Sequence, residues 1–143
     1  MNKNSNFDER QKQIRGSVFQ TGYVFLALFF LVDAMVKQSG HVWADYADMA
    51  MIGIMASVTF CSIILIIKNS YAGTSPAKWQ LLVFLITVAS VLSIVFGAND
   101  LPQYGYLTDG HITDASRTLI IGLLLFIIAA VYWIKQAVAK LTE

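Results

Sequence analysis

Residues 49–67 read "MAMIGIMASVTFCSIILII", a run of 19 residues without a single charged side chain. An α-helix rises ~1.5 Å per residue, so a run of this length crosses a bilayer hydrocarbon core of ~30 Å. Lipid offers no hydrogen-bond partner to an exposed backbone amide or carbonyl, and a chain that crosses it therefore has to be helical. The segment predicts a membrane-spanning α-helix.

Three further apolar runs have a similar length. Residues 80–98 and 118–134 contain no charge, and residues 17–36 contain Asp33 as their one charged residue. Hydrophobic residues make up 57% of the chain and charged residues 13%, against about 25% charged residues in an ordinary soluble domain. We predict an all-α membrane protein with one domain over residues 1–143, in which four transmembrane helices form an up-down antiparallel bundle.

A polar segment, "NFDERQKQIRG", precedes the first span at residues 6–16. Asn6 and Glu9 have the spacing of a capping box, and Asp8 lies four residues before Lys12 on the same helix face. These features predict a short amphipathic juxtamembrane helix. The acidic residues of this flank, and the lack of a cleavage site after the first run, indicate a retained span and not a signal peptide.

The basic residues predict the orientation of the chain. The N-terminal segment holds four of them, the loop at residues 68–79 holds two, and the C-terminal tail holds two. Lys37 and Arg117, the remaining two, belong to the opposite face. Short loops rich in Lys and Arg stay in the cytoplasm. Both termini are therefore expected on the cytoplasmic side of the membrane.

Two loops are expected on the outer side, at residues 37–48 and 99–117, and both are acidic. The Asp109-Gly110 pair in the second loop favours a small β-hairpin, because both residues tolerate the positive φ of a tight turn. Asp114 is expected to cap the N-terminus of the fourth helix, where its negative charge meets the positive end of the helix dipole.

Small residues recur every fourth position in the second and third spans. The first stripe is Gly53, Ser57 and Cys61, and the second stripe is Ala89, Ser93 and Gly97. In lipid, helices associate where small residues let their backbones approach closely. We predict that both stripes face other helices, with contact between the two stripes as one arrangement. The alternative is that small residues are simply common in membrane spans.

Asp33 is a functional candidate because an ionisable residue within a membrane helix is costly. It lies ~24 Å along a ~30 Å core, near the outer boundary of the first span. Lys37 follows one helical turn later and is placed to form an ion pair with it. Two interpretations stay open. Asp33 is either a structural ion pair or hydrogen-bonding group at the interface, or an ion or proton site open to the outside.

Signatures of known chemistry are absent from the sequence. It contains no HExxH, P-loop, GxSxG or CxxC motif, and we predict no catalytic residue and no cofactor. His41 and His111 lie near aspartates in the outer loops, but their spacing matches no dedicated metal motif, so no metal site is predicted. A net charge of +1 gives no reason to expect a nucleic acid partner.

The stretch "FDERQKQIRGSVFQTGY", residues 7–23, resembles the start of a group of small, mostly Gram-positive bacterial membrane proteins that carry an N-terminal DERQ signature. The resemblance covers about the first quarter of the chain. It implies a bacterial cytoplasmic membrane and implies no reaction. It also makes the signature and the base after it the candidate docking residues for a partner. These residues are Asp8, Glu9, Arg10, Gln11 and Arg15.

Two functions are consistent with these patterns. The favoured one is a non-enzymatic accessory or regulatory subunit that lies in the lipid bilayer and binds another protein or a second copy of itself. The alternative is a small transporter or channel that uses Asp33 and the acidic outer loops. A transport path needs polar residues along a continuous lumen, and inside the second and third spans only Ser, Thr, Cys and Gly are available to line one, which favours the subunit. The polar segment at residues 6–16 also has two interpretations. It is either a flank that sets the topology of the chain or an element that docks a partner.

Overall fold

The computed structural model describes residues 8–71 and 76–141, and four α-helices account for most of them. The helices are α1 Glu9–Gln38, α2 Tyr46–Ile67, α3 Pro76–Tyr104 and α4 Asp114–Leu141. Two short antiparallel strands, β1 Leu107–Thr108 and β2 His111–Ile112, lie between α3 and α4. Every helix is long and apolar enough to cross a membrane. The prediction of four such helices is confirmed.

The lead segment and the first span form one continuous helix. α1 runs through Gly16 without interruption, so the juxtamembrane helix predicted at residues 6–16 leads directly into the first span. The side chain of Asp8 accepts a hydrogen bond of 2.7 Å from the Gln11 backbone N–H and caps the helix. Asn6, the predicted cap, lies outside the described residues. Asp8 serves well because its carboxylate meets both an unsatisfied amide and the positive end of the helix dipole.

The other three helices extend beyond the apolar runs that predicted them. α2 begins at Tyr46, and α3 continues past the predicted loop start at Asn99 as far as Tyr104. α3 accommodates Pro102 in its last turns. The apolar runs mark where charges stop, whereas backbone hydrogen bonding continues into polar sequence. The spans predicted from hydropathy are therefore shorter than the helices that contain them.

The hairpin predicted at Asp109-Gly110 is confirmed. Asp109 and Gly110 have φ angles of 51° and 83°, which is the positive φ that a tight two-residue turn requires. The cap of α4 is one residue earlier than predicted, because Thr113 Oγ1, and not Asp114, accepts the Ser116 backbone N–H at 3.2 Å. Asp114 instead occupies the first turn of α4.

Contacts between the helices follow the order α1, α2, α4, α3. α2 packs against α1 on one side and α4 on the other, and α3 packs extensively against α4. The Ile66, Val83, Ile128 and Tyr132 side chains form a buried apolar cluster between α2, α3 and α4. Within the part of the chain that the structure describes, α1 therefore has a single extensive helix neighbour, α2.

The first small-residue stripe lies on the face of α2 that meets α1. The Ser57 hydroxyl donates to the Gly22 carbonyl at 2.9 Å, and Cys61 Sγ lies 3.6 Å from the Val18 carbonyl. Gly53 leaves room for a phenylalanine ring of α1. The numbers of the contacting residues run in opposite directions along this interface, which we call the α1–α2 seam.

The second stripe meets α4 and not the first stripe. A Cβ on Gly97 would lie 2.8 Å from the Leu119 backbone nitrogen, and Ser93 packs against Gly122. Ala89, in contrast, is exposed. Contact between the two stripes is therefore a wrong expectation. The short hairpin connection places α3 beside α4, and the small residues of α3 allow these two helices to pack closely.

We expect Gly97→Ala to destabilise the protein by about 1–3 kcal/mol, because its new Cβ would meet helix backbone that has no freedom to move aside. The measurement is unfolding of the purified protein in mild detergent. Gly16→Ala is the matched control, since Gly16 is also helical and a Cβ there meets nothing within 4 Å. This control should be unchanged or more stable by about 0.5–1 kcal/mol. Equal losses in both variants would contradict the close α3–α4 contact.

Candidate functional site

The candidate docking residues at the start of α1 have separate roles in the structure. Asp8 caps the helix, and the Gln11 side-chain amide donates to the Asn69 carbonyl at 3.2 Å. Asn69 belongs to the turn that follows α2, so Gln11 attaches the start of α1 to that turn. Glu9 and Arg10 are exposed. We call Glu9 and Arg10 the charged pair, because they are the part of the signature left available to another molecule.

Arg15 lies one turn beyond the charged pair and is half-buried. Its guanidinium carbon is 5.8 Å from the centre of the Phe19 ring, within reach of a cation–π contact. Arg15 also lines a cavity between α1 and α2. It therefore faces a different environment from the exposed charged pair, although the sequence places all three residues in one candidate set.

Asp33 and Lys37 come together as expected, and two aromatic residues join them. Trp43 Nε1 donates to Asp33 Oδ1 at 2.7 Å, and Lys37 Nζ lies 3.2 Å from Asp33 Oδ2. Lys37 Nζ is also 4.6 Å from the centre of the Tyr46 ring. Asp33 is only 5% exposed. Each carboxylate oxygen thus has a partner, and the arrangement fastens the first outer loop to the end of α1.

The two outer loops contact each other directly. The Ile112 backbone N–H in β2 donates to the Trp43 carbonyl at 2.9 Å. His111 Nδ1 lies 3.5 Å from Asp45 Oδ1, which places β2 beside the start of α2. Trp43 therefore connects Asp33 on one side with the hairpin on the other. Sequence reasoning missed this role of Trp43, although a half-buried indole N–H usually finds an acceptor.

Arg117 joins the first turns of two helices. Its guanidinium hydrogen-bonds to Asp48 at the start of α2 and forms an ion pair of 2.9 Å with Asp114 at the start of α4. Asp48 is only 7% exposed, whereas Asp114 is largely exposed. Because Asp48 and Arg117 are 69 residues apart, no local spacing could predict the pair. We call this group the outer clamp.

The histidines of the outer loops make local contacts. His41 Nδ1 lies 3.2 Å from the Ser39 hydroxyl, and His111 faces Asp45. Both histidines and Asp109 border the same outer depression. Over residues 8–71 and 76–141, no group of three or more His, Cys, Asp or Glu side chains is arranged to hold a metal ion.

A lysine of α4 binds the C-terminal end of α2, opposite the end that the outer clamp holds. Lys135 Nζ donates to the Ile66 carbonyl and, at 2.9 Å, to the Ile67 carbonyl. These carbonyls belong to the last turn of α2, where the regular helical partners run out. The Ile66 carbonyl also accepts the Asn69 backbone N–H at 3.2 Å. Gln136 Nε2 lies nearby and hydrogen-bonds to the Tyr71 hydroxyl at 3.3 Å. From the sequence, Lys135 is only a base that orients the chain, but in the structure it also fastens α4 to α2.

Comparisons of the chain with protein-family models, curated proteins and solved structures find no match. The functional argument therefore rests on the chain itself. In the described residues, several charges at the two ends of the helices bind other parts of the same chain. Glu9 and Arg10 are exposed in the first turn of α1.

We expect Arg117→Gln to destabilise the protein by about 1–3 kcal/mol, because it leaves the buried Asp48 carboxylate without its charged partner. Combining it with Asp48→Asn should restore part of the loss, since the pair is then removed together. The measurement is denaturant unfolding of the purified protein in mild detergent. Asp114→Asn is the control, and its exposed carboxylate should contribute less than about 1 kcal/mol. Additive losses for Asp48→Asn and Arg117→Gln would count against the outer clamp.

Proposed function

We propose that this chain is a multi-pass protein of a bacterial cytoplasmic membrane, with four helices crossing the bilayer as an up-down antiparallel bundle and both termini in the cytoplasm. Four helices of sufficient length and apolarity support the crossing. The opposite numbering of contacting residues along the α1–α2 seam supports the antiparallel arrangement. The excess of bases at one end supports the orientation, and the resemblance of the DERQ segment supports the bacterial location.

Within that membrane, the chain acts without chemistry of its own, as an accessory or regulatory subunit that binds another protein. The observation that carries this proposal is the packing of α1. This helix contacts α2 extensively and leaves its other faces uncovered by the described residues. Tyr23, Leu31 and Met35 are each more than half exposed along its apolar part. A partner helix has room to pack there without displacing any helix of the chain.

The charged pair gives this surface a polar end. α1 has 30 residues and a length of ~45 Å, so ~15 Å of it extends beyond a ~30 Å hydrocarbon core. Glu9 and Arg10 lie in that extension and are exposed. Glu9 and Arg10 side chains together offer one acceptor and one donor group to a partner in the cytoplasm. The apolar face and the charged pair thus form one continuous docking surface on α1.

The polar contacts favour this proposal over transport. Asp33 is bound to Trp43 and Lys37 at the outer end of α1, and a transport path needs a continuous row of polar groups across the membrane. The Ser57 and Thr87 hydroxyls within the helices donate to backbone carbonyls. Such hydroxyls fasten or bend helices and are not turned toward a lumen.

The partner is identified by capture of the full chain from native membranes in mild detergent, followed by mass spectrometry. We expect the double variant Glu9→Ala, Arg10→Ala to bind the partner about tenfold less tightly, since loss of a hydrogen bond to a charged group costs about 1.5 kcal/mol or more. Asp8 stays unchanged in this variant, because its substitution would remove the helix cap and confuse docking with folding.

The matched control is Lys78→Ala, Gln80→Ala, which removes two exposed side chains from the start of α3, outside the docking surface on α1. It should retain the partner. A partner held equally by the full chain and both variants would move the interface away from the charged pair. A full chain that captures no protein at all would overturn the subunit proposal.

A further inference from the structure

A groove crosses α2 between α1 and α3. A cavity of about 330 Å³ lies against α1 and α2, and a second cavity of about 200 Å³ lies against α2, α3 and α4. The two cavities adjoin, because five residues line both of them. The shared residues are Val58, Ser62, Leu65, Tyr71 and Trp79. We call the combined depression the α2 groove.

The floor of the α2 groove suits hydrocarbon. On the α1 side it consists of Gly22, Ser57 and Cys61, which lie along the α1–α2 seam. Ser57 Oγ and Cys61 Sγ are directed to carbonyls of α1. These two polar groups are therefore satisfied within the chain, and an apolar ligand here leaves neither of them without a partner.

The extent of the groove matches one leaflet of a bilayer. Along α1 its lining runs from Arg15 to Leu26, a distance of ~16 Å, which is about half of a ~30 Å hydrocarbon core. Beyond Leu26 the Phe29 ring fills the space between α1 and α2. It packs so closely on Gly53 that a Cβ added to Gly53 would lie 2.6 Å from the ring. A transmembrane partner helix would need a groove of full length, whereas a lipid chain from one leaflet needs only this half.

The mouth of the groove combines a base with two aromatic rings. Arg15 lines it from α1, and Tyr71 and Trp79 line it from the opposite side. Tyr71 and Trp79 make an edge-to-face contact with ring centres 5.9 Å apart. Tyr and Trp favour the depth of lipid headgroups, and the arginine guanidinium matches phosphate through paired hydrogen bonds.

The charge around this end of the molecule is complementary to an anionic headgroup. Exposed bases lie at the same end of the molecule as Arg15. They are Lys12 on α1 itself, Lys68 after α2 and Lys78 on α3. Over the described residues, the acids at this end are Asp8 and Glu9, six or more positions before Arg15 on α1. Basic sites between helices on the cytoplasmic side are typical of anionic lipid binding.

We infer that the α2 groove binds one anionic phospholipid, with an acyl chain along the groove and its phosphate at the Arg15 guanidinium. The lipid belongs to the leaflet in which Arg15 lies. This inference rests on the membrane placement given under Proposed function, and it adds a ligand that the docking surface on α1 does not require.

The test uses the full chain in phosphatidylcholine vesicles that carry a small, equal fraction of photoactivatable lipid. The diazirine sits in the acyl chain, on phosphatidylglycerol in one sample and on phosphatidylcholine in the other. Mass spectrometry locates the labelled residues after irradiation. We expect labels at residues 19–26 and 58–65 to be enriched about fivefold with phosphatidylglycerol, the preference that one well-placed base supplies.

Three variants and a reference surface test whether that enrichment depends on Arg15 and is confined to the groove. Arg15→Gln should reduce the ratio to about one, and Arg15→Lys should retain part of it because the positive charge is kept. Lys140→Gln removes an exposed base in the last turn of α4 that does not line the groove, and it should leave the ratio unchanged. Phe84 and Leu85, exposed on α3, report contact with bulk lipid and should label equally with both lipids.

A groove labelled equally by both lipids, or a preference that survives Arg15→Gln, would overturn the inference. Label on Phe84 and Leu85 without label in the groove would also overturn it, because protein would then fill the groove. Absence of label from both regions would have a different meaning. It would show that the helices are not in the bilayer, and the membrane placement itself would fail.

Discussion

Large apolar side chains cover the outward faces of all four helices, and the rest of the structure depends on the medium that surrounds them. In the most apolar stretch of each helix, between 17% and 39% of the residues are buried within the chain. Leu31, Phe96 and Ile134 each expose more than half of their surface. Water does not tolerate apolar surface of this extent, whereas the bilayer core is itself apolar. In the membrane placement that we propose, lipid supplies no drive for apolar burial, and other interactions have to hold the helices together.

Those interactions are of two kinds, and their positions along the helices differ. Close contacts of small residues act within the apolar part, as where Ser57 donates to Gly22 and Gly97 admits Leu119. Charged groups act at the helix ends, as in the outer clamp around Arg117. The separation follows from the cost of placing a charge in hydrocarbon. α1 is attached mainly through α2. Both the docking surface and the lipid site that we propose depend on that limited attachment.

Sequence patterns predicted the features that depend on local information. Four uncharged or nearly uncharged runs predicted the helices, and Asp109-Gly110 predicted the hairpin. The order of the helices was not predictable, because a stripe of small residues such as Gly53, Ser57 and Cys61 does not specify which neighbour it meets. For the same reason the Gln11 contact with the turn after α2 was missed. That contact changes the meaning of the DERQ signature. Asp8 and Gln11 bind other groups of the chain, and the exposed Glu9 and Arg10 are the residues of the signature without such a role in the fold.

The most direct test of the account is the accessibility of single cysteines to a membrane-impermeant maleimide in intact and permeabilised cells, in a Cys61→Ser background. Crossing of the bilayer with cytoplasmic termini predicts that Tyr106→Cys reacts in intact cells, and that Gln13→Cys and Ala137→Cys react only after permeabilisation. Leu92→Cys, exposed in the middle of α3, should stay unreactive in both because lipid covers it. Reaction of Gln13→Cys and Tyr106→Cys from the same side, or rapid reaction of Leu92→Cys in the folded protein, would contradict the account.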